Sequence, residues 1–267
     1  MDICFADAGN LVTFVYPKSG SMKNTCGFLF ALFLLNTGLV AQTPSLDSTA
    51  ILILNRMSDV LTELKSCRLA VSATYDIYHP ALGLIKHADN ADVILKGPDK
   101  FLVSLSGDKG ARTFLFNGKT LSYYSFDNNH YAEFESPGSI LDLADTVSRA
   151  FGIDFFVVDF FCPWFVEELT LNSSALSYLG LTPVDGIYCF HLAGVLSGFT
   201  YQIWIQKDPY FLPVKTVLVY TSREGTPQYE ARFTHWTTNQ EIPDAIFGFT
   251  PPPGAVKTLF RPVLKQR

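Results

Sequence analysis

Gln202-Ile203-Trp204-Ile205, Val214 to Tyr220 and Gln228 to Trp236 are apolar runs in quick succession within Gly186 to Ala255. That stretch closes on Thr250-Pro251-Pro252-Pro253-Gly254-Ala255. Runs this short, parted by turn residues, predict the strands of one antiparallel sheet joined as hairpins. Upstream the same texture returns. Cys67, Leu69, Val71, Ala73, Tyr75 and Ile77 alternate with polar residues, which describes a strand with one buried face. Ile85 to Leu95, Phe101 to Leu105, Thr113 to Phe116, Thr120 to Phe126 and His130 to Phe134 follow, with turn signals between them. Asn117-Gly118 reads as a two-residue hairpin turn, because both residues tolerate positive φ. Six strands joined by tight turns predict a meander.

Two helices belong with this sheet. From Asp47 to Ser66 the apolar residues Ala50, Leu54, Met57, Leu61 and Leu64 recur at three- and four-residue steps, after the start signals Pro44, Ser45 and Asp47. From Ser139 to Phe151 a second helix places Ile140, Leu143, Ala144, Val147 and Phe151 on one side. Then comes Phe155-Phe156-Val157-Val158-Asp159-Phe160-Phe161-Cys162-Pro163-Trp164-Phe165-Val166, apolar nearly all round, so it is buried or faces something greasy. It is too short to cross a bilayer, and Pro163 divides it into two short helical pieces.

The beginning of the chain has a different character. Met22-Lys23-Asn24-Thr25, the apolar core Cys26 to Val40 and the small residue Ala41 have the form of a secretory signal peptide. Asp2, Asp7 and the turn-like Pro17-Lys18-Ser19-Gly20 do not suit a leader, so residues 1–21 are expected to be an over-extended start and 22–41 the leader. A retained membrane anchor is the alternative. The expected location is the periplasm, and residues 45–267 are expected to form one domain. Three cysteines then remain, Cys67, Cys162 and Cys189, an odd number that points to buried thiols rather than a disulfide framework.

The composition agrees with a β protein rich in core material. Apolar residues make up 48% of the chain, with 23 Phe and 12 Tyr, which leaves a surplus for a greasy cavity. The net charge of -5 comes without a basic block, which argues against a nucleic-acid partner.

Several motifs in the second half carry a family resemblance. Val184-Asp185-Gly186, Cys189-Phe190-His191-Leu192, Gln202-Ile203-Trp204-Ile205, Leu212-Pro213 with Lys215, Pro227-Gln228-Tyr229 and Phe247-Gly248-Phe249-Thr250-Pro251-Pro252-Pro253-Gly254-Ala255 together resemble a predicted periplasmic family known as domain of unknown function 2092. The helix from Asp47 and the Gly97-Pro98-Asp99-Lys100 turn extend the match through nearly the whole mature chain. That family looks related to the lipoprotein-localisation proteins LolA and LolB. The resemblance implies a mainly β fold with helices, a curved antiparallel half-barrel plugged by α-helices, whose hollow accepts acyl chains. Fold does not fix function.

The chemistry-bearing residues offer little beside this. Cys189 and His191 face one side of a strand, but two ligands are too few for zinc, and His79, His87, His130 and His235 add no partner spacing. Asp142 with Asp145, and Glu167 with Glu168, read as solvated helix positions. No Gly-x-Ser-x-Gly elbow, phosphate loop or dinucleotide fingerprint occurs. Tyr201, Trp204, Tyr220, Tyr229 and Trp236 read as sheet packing before ligand stacking. The expectation is therefore a non-enzyme without cofactor or metal, monomeric, in peripheral contact with the envelope, its partners a lipid, an acyl chain or a lipoprotein. Its candidate cavity lining or lid is Phe155, Phe156, Phe160, Phe161, Trp164 and Phe165. The alternative is an envelope structural or interaction protein with a self-plugged cavity.

Overall fold

The structure, a computed structural model, describes residues 3–4, 45–151 and 159–261. The leader expected at 22–41 lies outside the described residues, as does nearly all of the preceding segment. Ile3–Cys4 (β1) pairs in parallel with Phe260–Arg261 (β15).

The main sheet has 13 strands. One meander is β3 (Ser66–His79), β4 (Gly83–Lys96), β5 (Lys100–Gly107), β6 (Gly110–Phe116), β7 (Thr120–Ser125) and β8 (His130–Glu135). A second meander is β9 (Ala175–Val184), β10 (Ile187–Leu196), β11 (Phe199–Gln206), β12 (Pro213–Val219) and β13 (Gln228–Thr238). The two join in the middle through an antiparallel β13–β3 pair, with Tyr229 opposite Tyr75 and Phe233 opposite Val71. Short parallel strands close the edges, β2 (Ser45–Leu46) on β9 and β14 (Val256–Lys257) on β8. The two edges do not meet, so the sheet is curved and unclosed, as the half-barrel expectation requires. The predicted alternation on β3 is present: Cys67, Leu69, Val71, Ala73 and Tyr75 are all buried on the concave face.

Helices cover that face. α1 (Ser48–Thr62) is capped by Asp47, whose carboxylate accepts from Thr49 N at 2.8 Å and from Tyr178 N at 3.1 Å, tying the helix start to β9. Ala50, Ile53, Leu54, Met57 and Leu61 are its buried stripe. The helix stops at Thr62 rather than Ser66, because Ser66 opens β3: it pairs with Lys96, and its carbonyl accepts from Asn239 N. α2 (Ile140–Phe151) begins with a Ser139–Asp142 reciprocal cap and buries Leu143 and Val147. α3 (Phe165–Asn172) packs beside α1.

Two turns differ from expectation or extend it. The Asn117-Gly118 hairpin has a three-residue loop, not two. The Asn117 side chain accepts from Lys119 N and Thr120 N, and only Gly118 takes a positive φ, 87°. On the convex face the tail after β13 returns across the first meander. Lys96 Nζ donates to Ile242 O at 2.8 Å and pairs with Asp244, and Phe249 packs on Tyr124 and Tyr131. This closing Pro-rich motif thereby covers part of the outer side of β7 and β8.

Candidate functional site

The concave face is an apolar hollow, and its middle is occupied. Phe160 is 2% exposed and meets Phe165 edge-on at 5.3 Å and Phe233 of β13 at 5.7 Å. Phe165, the first residue of α3, is equally buried. Of the six candidate lining residues, Phe155 and Phe156 lie outside the described residues. Phe161 is half-buried, and Trp164 stands at the N-cap of α3, 48% exposed. The structure therefore brings Phe160 and Phe165 into the core and places Trp164 on the surface.

Phe161 has a further place, in the wall of a cleft of about 230 Å3 at one end of the hollow. Leu61 and Leu64 from the end of α1, Cys67 and Leu95 from β3 and β4, Pro98 from the following turn, and Ile140 and Leu141 from α2 line the rest. Apart from Thr62, Ser66, Ser139 and backbone, these walls are hydrocarbon, ring or thiol. The cleft assembles from four separate segments, so sequence spacing gave no signal for it. Leu64 was predicted for the helix stripe, and it serves the cleft from just past the helix end.

The opposite end of the hollow is polar. Asp89 and Arg112 are 3% and 2% exposed, with Arg112 NH2 at 3.3 Å from Asp89 Oδ2. Tyr75 donates to the same Oδ2 at 3.3 Å. Burial, and after it the Asp89 charge, push the Tyr75 hydroxyl up to about 12. His87 stacks on the Tyr75 ring at 5.6 Å and bonds Asp108 at 3.0 Å. No sequence motif announced this group, because its members come from three strands and are far apart in the chain.

The Cys189–His191 pair lies on the convex face. His191 stacks on Trp204 at 4.2 Å and bonds Gln202 at 3.0 Å, while the Cys189 thiol donates to Ile187 O. Desolvation holds the imidazole below its usual value, and the charge of Lys215, over the Trp204 ring at 5.0 Å, adds to that effect. Lys215 continues the row to Glu230, which also pairs with Arg232, and Arg232 reaches Asp185. The resemblance-bearing residues Asp185, His191, Gln202, Trp204 and Lys215 thus make one packed outer layer. Among the described residues, no group of three or more metal-ligating side chains occurs.

Cys67 and Cys189 are free thiols and buried, and Cys162 is half-buried. Tyr201, Tyr220 and Tyr229 pack into the hollow, and Trp236 donates to Pro213 O at 3.1 Å. Asp142 and Asp145 do not act as a pair, since Asp142 is committed to the Ser139 cap, which holds its carboxyl below the usual range. Among the described residues, no helix is long and apolar enough to cross a membrane.

Several solved structures have a similar chain path. The lipoprotein LppX of Mycobacterium tuberculosis is 18% identical, with 71% of this chain and 96% of that one covered at a TM-score of 0.45. LprF of Mycobacterium bovis is 14% identical, with 74% and 98% covered at 0.46. A LolA superfamily protein of Nitrosomonas europaea is 11% identical, with 75% and 97% covered at 0.33. No curated protein matches the sequence. The model of one family, described as predicted periplasmic protein (DUF2092), matches residues 50–261, which takes in both meanders, α1 and the convex-face layer. The chain belongs to that family of predicted periplasmic proteins.

Proposed function

We propose that this protein is exported to the periplasm and binds or carries an apolar ligand, an acyl chain or the lipid part of a lipoprotein, in the hollow, without catalysing a reaction. The observation that carries this reading is the hydrocarbon-walled cleft of about 230 Å3 between α1, α2 and Phe161. Cavities of roughly 150 Å3 lined by aliphatic side chains stay dry and take up benzene-sized guests. The cleft therefore suits a segment of an acyl chain but not a whole lipid. The rest of a longer chain needs the space that Phe160 fills, so uptake exchanges ligand for plug. Each buried methylene contributes about 0.8 kcal/mol toward that exchange.

The test is titration of the mature protein with a fluorescent fatty acid. Saturable binding is expected, and Leu64→Glu, which puts a carboxylate at the cleft, should weaken it at least about tenfold through the cost of desolvating that charge. Absence of saturable binding, or binding indifferent to Leu64→Glu, would count against the reading.

One contact favours a second reading. Phe160 already closes the middle of the hollow against Phe165 and Phe233. An envelope interaction protein plugged by its own side chains, acting through its surface, would take up no fatty acid in the same titration.

A further inference from the structure

We propose that Asp89 and Arg112 form the polar end of the hollow and receive an uncharged head group that both donates and accepts a hydrogen bond, a carboxamide or a hydroxyl-bearing ester on an acyl chain. This rests on the reading of the hollow as an apolar-ligand site and adds to it the chemistry of the head.

Both residues are more than nine-tenths buried, yet each keeps one polar atom without a partner, Asp89 Oδ1 and Arg112 Nε. Native proteins satisfy nearly all such groups, because a buried donor or acceptor left unbonded is destabilising. Asp89 lies in a row across the concave face whose other members are Ala231, Ala73, Gly107 and Gly110, so the large side chains beside it are Tyr75 and Arg112 from the adjoining rows, both on Oδ2. A Cβ at Gly107 would strike Asp89 Oδ1, so the bare backbone there is what gives the carboxylate its position. Arg112 sits one row over, opposite Leu105, in continuity with the apolar lining.

The charges of the two side chains cancel. A carboxylate or ammonium head would bring an unbalanced charge into a buried site, which is costly. A neutral head instead gives a proton to Asp89 Oδ1 and a lone pair to Arg112 Nε. Asp89 and Leu95 are six residues apart on β4, so the pair lies about 20 Å from the cleft, the span of a long acyl chain.

The test is displacement of the neutral dye N-phenyl-1-naphthylamine from the mature protein by hexadecanamide, monopalmitin, hexadecanoate and hexadecylammonium. The acid is kept ionised and the amine protonated. The two neutral heads should compete at least about tenfold better than the charged ones, the worth of one or two hydrogen bonds to charged groups. The paired variant Asp89→Leu/Arg112→Met should keep chain binding and lose the preference. Asp89→Asn, which leaves the guanidinium unbalanced, should turn the preference toward hexadecanoate, and it serves even where the paired variant does not fold. Equal displacement by all four, or a ranking unchanged by Asp89→Asn, means that the pair holds water only; the inference then fails while the carrier reading stands. No displacement by any of them brings down both.

Discussion

Replacing Phe160 with alanine removes the side chain that fills the hollow. Phe160 is 2% exposed and wedged between Phe165 and Phe233, two rings that stay in place when it goes. Phe→Ala changes at buried sites cost about 3–5 kcal/mol, the sum of lost transfer energy and an unfilled cavity. The upper part of that range applies here, because the rigid sheet on one side and α3 on the other limit collapse. Urea unfolding followed by tryptophan fluorescence measures the loss as a lower midpoint at unchanged slope. The same cavity should admit more of the apolar dye, and a ligand at a hundredfold excess over its Kd should return about 2.7 kcal/mol. Trp164→Ala is the companion, since that ring is 48% exposed and its removal should cost no more than about 0.5 kcal/mol. A Phe160→Ala loss below about 1 kcal/mol, with dye uptake unchanged, would refute the plug. Loss of uptake in Trp164→Ala at full stability would instead make the exposed ring part of a binding wall.

Gly194 lies under the Tyr201 ring, where a Cβ would collide with the ring carbons and disturb the Tyr201–Ser173 hydrogen bond of 3.0 Å. Gly194→Ala should cost about 1–3 kcal/mol, checked by the same urea midpoint, and a neutral result would contradict the packing described. Asp47 has a carboxyl held below its ordinary value of 3.8, first by the Tyr178 backbone donor and then by that of Thr49. Its stabilising effect is present in full above that ordinary value and is lost as pH falls through the lower folded one. The thermal midpoint should therefore drop on acidification below about pH 4, and Asp47→Asn should flatten that drop; an identical acid profile would remove Asp47 from the account. Burial pushes the thiols of Cys67 and Cys162 up to about 12 and that of Cys189 to about 11. A thiol reagent at neutral pH should label the buried Cys67 and Cys189 only after unfolding, and rapid labelling of either in the native protein would contradict their burial.

Strands were most legible where one side is wetter than the other. In β3 the alternation from Cys67 to Ile77 names the buried face outright, and in α1 the stripe from Ala50 to Leu61 does the same. Legibility stopped where contacts are non-local. The end of α1 was decided by Asn239 and Lys96, both far away in the chain, which claim Ser66 for the sheet. Asn117 was expected to take positive φ, and instead its side chain accepts from the backbone two and three residues on, a local bond that favours a longer loop. Trp204 looked like its aromatic neighbours on paper, yet the odd–even register of β11 sends it to the convex face while Tyr201 enters the hollow. The Phe-rich run announced burial but not location, and Phe160, Phe161 and Trp164 meet three different surroundings within five positions. Asp89 and Arg112 were invisible, because a polar residue on the inner face of an alternating strand resembles any other interruption of the pattern.

Native mass spectrometry of the protein, purified without detergent from the cells that make it, bears most directly on the claim that the hollow holds an apolar guest. The account predicts a fraction of molecules carrying a bound mass that organic extraction identifies as an acyl-chain compound, and predicts that Leu64→Glu lowers that fraction. A bare polypeptide mass in repeated preparations, together with no uptake when acyl compounds are added back, would contradict it.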